Sequence, residues 1–220
     1  ETLKLQYVKM SKGSAQFGGA IFNEGFAAGV SGQGIGIVEV ANSIFTENKA
    51  ESGAVLFMAQ PLFSFKNSII SKNTNTSSDP TTAVTIYSAR SFDDNTTSKE
   101  GFTRTALIVN STAYANDGYL VNVRDGVYLN NDTIVGNKHG VYFDALTGKA
   151  QVSNSILIGN NNADCKFSPQ DKSFSYNNLV ASFAVCGMGE VNVNNGNISL
   201  ANWGSDAADR KVFAGENIEG

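Results

Sequence analysis

An asparagine pair six positions apart recurs five times in this chain: Asn42 and Asn48, Asn67 and Asn73, Asn110 and Asn116, Asn131 and Asn137, Asn154 and Asn160. Successive pairs are separated by 25, 43, 21 and 23 residues. The residues between them repeat as well. Ser43, Ser68, Ser111, Asp132 and Ser155 follow the first asparagine, and Phe45, Ile70, Ala113, Ile134 and Leu157 lie three positions beyond it. Two positions before it stand Val40, Phe65, Ile108, Leu129 and Val152. A period of about 20–25 residues with an apolar strand in each unit marks a solenoid, in which no unit buries its own apolar face and stacking makes the core.

Strands follow one another in threes. One repeat reads as a strand with its turn over 42–48, a second over 53–57 and a third over 62–65; another reads as 131–137, 140–143 and 150–152. Three strands per coil and about six coils define an all-β parallel β-helix. Coils stacked about 4.8 Å apart turn each column of equivalent residues into a ladder. The apolar columns are the expected core, with Leu129, Ile134 and Val152 pointing inward. The asparagines read as scaffold at the bends, because Asn accepts a left-handed backbone and its amide both donates and accepts along a stack.

The 43-residue step contains only three strand-like runs, 67–70, 83–87 and 103–109, and so predicts one coil with enlarged loops at 74–82 and 88–102. A Gly-rich excursion is expected near 23–34 and an irregular last coil over 187–220. Residues 1–220 then form one β-helix segment, read as part of a longer protein.

A net charge of −4 and a pI of about 5.0, with no basic cluster, argue against nucleic acid as a partner. No apolar run approaches the roughly 18 residues of a membrane span, so this segment is not expected to insert directly into a membrane. Cys165 and Cys186 are the only cysteines and lack the spacing of a metal site. Both fall in the second-strand region of adjacent coils, at a separation a disulfide tolerates. A Cys165–Cys186 bond would close a loop of about 20 residues, contribute on the order of 3 kcal/mol, and imply an oxidising compartment. Two buried free thiols are the alternative.

A polysaccharide lyase, hydrolase or epimerase on such a scaffold needs Lys, Arg or His beside carboxylates that neutralise a uronate, directly or through Ca²⁺. The side chains of that kind are Arg124, Asp125, Lys138, His139 and Asp144. The Arg124–Asp125 and Lys138–His139 pairs fall in turns where solvated polar residues are ordinary, so no catalytic residue is assigned. Asp93, Asp94 and Asn95 offer oxygen ligands to Ca²⁺, although their spacing is not that of a known calcium loop. Phosphate-loop, HExxH, GxSxG and zinc-type motifs are absent from the sequence. Tyr114, Tyr119, Tyr128 and Tyr142 fall in successive coils. Stacking within the fold accounts for them most simply, while outward-facing members, with Tyr128 and Tyr142 as candidates, would offer a stacking surface to a glycan.

Phe45-Thr46-Glu47-Asn48 followed by Ser52-Gly53-Ala54-Val55, with Gly18-Gly19-Ala20-Ile21 one coil earlier, resembles the paired FxxN and GGA(I/L/V) repeats of bacterial polymorphic outer-membrane proteins. The stretch from Asn154 through Asp164-Cys165 and Tyr176-Asn177-Asn178-Leu179 to Cys186 looks like the disulfide-bearing coils of secreted bacterial right-handed β-helix proteins. These resemblances cover about residues 5–186. They imply a right-handed β-helix at the extracellular bacterial surface, an adhesin or autotransporter-like passenger or a structural stalk. Its partner would be a glycan or protein on a surface. The alternative is the carbohydrate-active enzyme considered above.

Overall fold

Every strand pairing in the computed structural model is parallel, and no helix occurs among the residues it describes. Those residues are 2–23, 36–58, 62–88, 106–123, 127–143, 151–161, 164–167, 174–176, 178–180 and 198–199. The first sheet runs β1 (Thr2–Gln6), β4 (Ile37–Ala41), β8 (Phe63–Lys66), β12 (Ala106–Val109), β15 (Val127–Asn130), β18 (Gln151–Ser153) and β21 (Phe174–Tyr176). The second runs β2 (Lys9–Ser11), β5 (Ile44–Thr46), β9 (Ile69–Ser71), β13 (Thr112–Tyr114), β16 (Thr133–Val135), β19 (Ile156–Ile158), β22 (Leu179–Val180) and β23 (Ile198–Ser199). The third holds β3 (Ile21–Asn23), β7 (Leu56–Met58), β11 (Val84–Ser88) and β14 (Tyr119–Val123). Two short pairs complete the set: β6 (Lys49–Ala50) with β10 (Thr74–Asn75), and β17 (Val141–Phe143) with β20 (Cys165–Phe167). This all-β, parallel arrangement is consistent with the parallel β-helix that the repeats predict.

Register follows the sequence columns. Val40 pairs with Phe65, Phe65 with Ile108, Ile108 with Leu129 and Leu129 with Val152, and all five are buried. Phe45, Ile70, Ala113, Ile134 and Leu157 form the equivalent buried column of the second sheet. Leu129, Ile134 and Val152 point inward as expected, each with no exposed surface. The third sheet adds Ile21, Leu56, Ile86 and Val121, in register, to the same core. β8 pairs directly with β12 and β9 with β13, so no strand of either sheet intervenes between these partners across the 43-residue step. Of the stretch 74–82, Thr74 and Asn75 belong to β10 and Asn75 is buried, so the excursion starts at Thr76. Residues 24–34, 89–102, 187–197 and 200–220, where the Gly-rich excursion, an enlarged loop and the irregular last coil are expected, lie outside the described residues.

The two asparagine columns divide the labour. Asn42, Asn67, Asn110, Asn131 and Asn154 all take a positive φ of 50–57°, as Tyr7 does in the same place one repeat earlier. They turn the chain between the first and second sheets, with side chains at or near the surface. Asn48, Asn73, Asn116, Asn137 and Asn160 are buried instead. Asn116 shows the pattern: its backbone N–H and its Nδ2 both donate to Asn137 Oδ1, at 3.0 and 2.9 Å, while the second Nδ2 hydrogen reaches Ile70 O at 2.9 Å. Its own Oδ1 accepts the same pair of bonds from Asn73. The ladder begins where Gly13 N donates to Asn48 Oδ1 and closes where Asp164 Oδ1 accepts both donors of Asn160.

A second buried ladder runs through Ser43, Ser68, Ser111, Asp132, Ser155 and Asn178. Each member accepts a backbone N–H from the preceding repeat, and the serine hydroxyls donate to the carbonyl two residues back. As a carboxylate, Asp132 has no hydroxyl proton to give. Its Oδ1 accepts from Ser111 N at 2.8 Å and its Oδ2 from Asn130 N at 3.0 Å. Burial pushes its carboxyl up to about 7, against the pull of those two backbone N–H groups.

Two stability measurements test the ladders. Asn116→Ala strands both donors of Asn73 in a buried corner and should cost about 3–5 kcal/mol in urea denaturation. For Asp132, the folded chain keeps a proton that the unfolded chain releases at lower pH. That contribution is complete below pH 3.8 and is lost as pH rises to about 7. Asp132→Ser restores the column's donor, so the variant should be more stable than the parent at pH 8 by up to about 4 kcal/mol. The gap should close toward pH 4, and equal stability at pH 8 would show that the buried carboxylate carries no penalty.

Candidate functional site

Ladder asparagines fix the residues that follow them. Asp117 and Lys138 come directly after Asn116 and Asn137, at the corners leading into β14 and β17, where Lys138 N donates to Asn116 O at 2.9 Å. Adjacent repeats therefore set an acid beside a base, and Lys138 Nζ lies 2.8 Å from Asp117 Oδ1 with about half of each side chain exposed. His139 comes next and stacks on Tyr119, ring centres 4.4 Å apart. Gly140 then carries the chain past Asp164, where a Cβ would collide with the Asp164 carbonyl oxygen.

Aromatic residues collect beside this corner. Tyr119 and Tyr142, 5.4 Å apart, form a satellite apolar cluster with Val84, against which Tyr87 packs. Lys166 extends over the Tyr142 ring, its Nζ 5.0 Å from the ring centre. From Tyr87 the rings continue along the third sheet through Phe57 at 5.5 Å to Phe22 at 5.6 Å, with Phe17 at 5.0 Å from Phe57. Phe22 is 51 % exposed. Asn122, the register partner of Tyr87, donates through Nδ2 to Thr81 O at 2.8 Å and so ties down the 76–83 turn; its buried Oδ1 has no hydrogen-bond partner. Asp79 braces the same turn by accepting from Thr81 N and Oγ1, each at 2.8 Å.

Burial sets the protonation of the cluster. It raises the Tyr119 phenol above its ordinary range. It also lowers His139, helped by Lys138 and Lys166 and opposed by Asp117, so the imidazole is neutral at pH 7. A neutral imidazole, an exposed ion pair and partly exposed rings can hold a polar ligand by hydrogen bonds and ring contacts. Among the described residues no group of three or more His, Cys, Asp or Glu side chains is placed to hold a metal ion.

Of the candidates read from the sequence, Lys138, His139 and Tyr142 come together here. Tyr128 does not join them: it lies in β15 of the first sheet, in register with Leu107 and Gln151. Tyr114 is on the second sheet, 38 % exposed. Asp93, Asp94, Asn95, Arg124, Asp125, Asp144 and Cys186 lie outside the described residues. Cys165 is buried in β20, and no free cysteine occurs among the described residues. Phe22, Phe57 and Tyr87 escaped the sequence reading. Each directly follows an inward residue of the third sheet, Ile21, Leu56 or Ile86, and that recurrence was the available signal. The chain matches no protein-family model, no curated protein and no solved structure.

His139 is the chain's only histidine, so its titration is read directly by NMR. Its midpoint should fall below 6.5. Lys138→Met should raise it and Asp117→Asn should lower it further. The unfolded chain protonates first as pH falls, so the stability linked to the neutral ring is present above pH 6.5 and is lost as pH falls through the folded midpoint. A midpoint at or above 6.5 in the parent, insensitive to both substitutions, would place His139 in solvent.

Proposed function

We propose that this chain is a segment of a right-handed parallel β-helix of about six coils, three strands to the coil, from a secreted or cell-surface bacterial protein. It works as an adhesin or structural stalk that engages a glycan or protein on a surface, and not as an enzyme. One observation carries the reading: a buried amide ladder, unbroken from Asn48 to Asn160, ties successive repeats into a rigid stack. Such a stack holds a ligand-bearing face away from its point of attachment. Lys138 is paired with Asp117 and His139 is stacked on Tyr119, structural uses of both side chains that support the non-enzyme reading.

The reading includes a Cys165–Cys186 disulfide and an oxidising location, supported by the burial of Cys165 and the absence of a free cysteine among the described residues. No cofactor is needed, and Ca²⁺ at Asp93, Asp94 and Asn95 is the one cation it allows. It does not involve nucleic acid or direct membrane insertion. No helix among the described residues is long and apolar enough to cross a membrane.

Two assays on the non-reduced chain test the proposal. Alkylation and mass analysis should find no reactive thiol, and incubation with uronate polymers, with and without Ca²⁺, should give no turnover. Two titratable thiols would remove the argument for export. Turnover abolished by Lys138→Met or His139→Gln would make the chain an enzyme.

A further inference from the structure

We infer that the outward face of the second sheet over β13, β16 and β19, built around Thr112, Tyr114, Thr133 and Val135, is a binding surface for a neutral glycan chain. The ligand named is that of the surface-protein reading, on which the assignment rests. Register sets the geometry. Ala113, Ile134 and Leu157 point into the core, so the strand residues on either side of each point out. Thr112 pairs with Thr133 and Thr133 with Ile156, while Tyr114 pairs with Val135. Hydroxyls therefore stand in one column and an aromatic ring, 38 % exposed, in the next.

What the face lacks is as specific as what it carries. Directly after this strand the earlier repeats place Lys12, Glu47 and Lys72, all exposed, and the later ones place Ala115, Gly136 and Gly159. The backbone does not demand small residues there, because Lys12, Glu47, Lys72 and Ala115 take a φ of 53–61° and Gly136 takes 60°. Nor does packing, since a Cβ on Gly136 would meet no atom within 4 Å. The small residues leave the edge of the face beside Tyr114 and Val135 uncovered, where a long side chain would fit.

Charge and size then select the ligand. Over 109–115, 130–136 and 153–159 the only acidic or basic residue is Asp132, which is buried. The nearest basic side chains by register, Lys66 and Lys72, belong to the preceding repeat, beyond the β13 edge. The face itself offers no ion-pair partner to a carboxylated or sulfated chain. A pyranose packs its C–H face on a ring or on methyl groups, and its hydroxyls meet threonine hydroxyls that both donate and accept. Thr112, Thr133, Val135 and Ile156 are β-branched and stiff, so little side-chain freedom is lost on binding. Three strands with their flanking turns span on the order of 300 Å². A specific protein interface takes roughly 800 Å² from each partner, so the face suits a glycan chain and not a second copy of this one.

Backbone amide resonances of Thr112, Tyr114, Thr133 and Val135 read the face directly. The full chain is titrated with maltohexaose, cellohexaose and mannohexaose, and with oligogalacturonate as the charged comparison. A saturable shift centred on these residues is expected with at least one neutral oligomer. Tyr114→Ala should weaken binding about tenfold through loss of the ring. Ala115→Lys, which restores the long side chain of the earlier repeats at a φ they already tolerate, should weaken it at least as much, and Ala115→Ser should bind as the parent does. No saturable shift with any neutral oligomer, shifts centred elsewhere, tighter binding of oligogalacturonate, or binding indifferent to both Tyr114→Ala and Ala115→Lys would each overturn the assignment. Concentration-dependent dimerisation abolished by Ala115→Lys would overturn it too, by giving the face to a second copy. These failures are separable from failure of the surface-protein reading, which is decided by thiol content and turnover.

Discussion

Each inward corner of the stack takes a backbone N–H out of water, and the structure depends on the side-chain oxygen that meets it. An unmet buried donor costs about 1–3 kcal/mol, and such corners recur in every repeat. Asparagine fits because one Oδ1 accepts two N–H groups while Nδ2 donates twice, so a single side chain serves two repeats. Serine suffices at the other corner, where the hydroxyl turns back on its own strand. Asp132 keeps the acceptor through Oδ1, and its spare Oδ2 takes a second backbone N–H, from Asn130.

What the sequence reveals of this arrangement follows from where its period is kept. Between the first and second sheets the spacing is constant, from Val40 through Asn42 and Phe45 to Asn48 and at each later repeat, so position in sequence converts directly to register. Beyond the second asparagine the constancy ends. The inward residue of the third sheet follows it by 8 positions at Leu56, 13 at Ile86 and 5 at Val121. No fixed column could therefore be drawn through Phe22, Phe57 and Tyr87, although the backbone brings them into line. The different fates of the two asparagine columns were hidden for another reason. A left-handed turn and a buried amide both favour the same residue type, and only the fold separates them.

That variable corner is also where the candidate site lies. Asp117 and Lys138 are set by the most constant element of the repeat, the ladder asparagine before each, while the rings beside them come from the least constant. A fixed frame thus presents side chains whose surroundings change from repeat to repeat. The same backbone geometry places Lys49 and Thr74 at equivalent positions in earlier repeats without producing a comparable cluster. Where the turns into β14 and β17 are short, a histidine and two tyrosines pack against the corner.

The amide ladder is also a polar chain with a head and a tail. Every member gives its two hydrogens to the residue that follows it and receives from the one before, so the two ends are not equivalent. Peeling a repeat from the leading end leaves the next asparagine with an Oδ1 that has lost two donors and one Nδ2 hydrogen that has lost its backbone carbonyl. Peeling one from the trailing end strands an N–H and an amide hydrogen of the same buried side chain. Asp164 occupies that trailing position as a pure acceptor for Asn160 and so acts as the terminator of the relay. The two ends of the ladder are thus chemically different: the amino-terminal one presents an amide oxygen, met by Gly13 N, and the carboxy-terminal one presents paired hydrogens, met by a carboxylate.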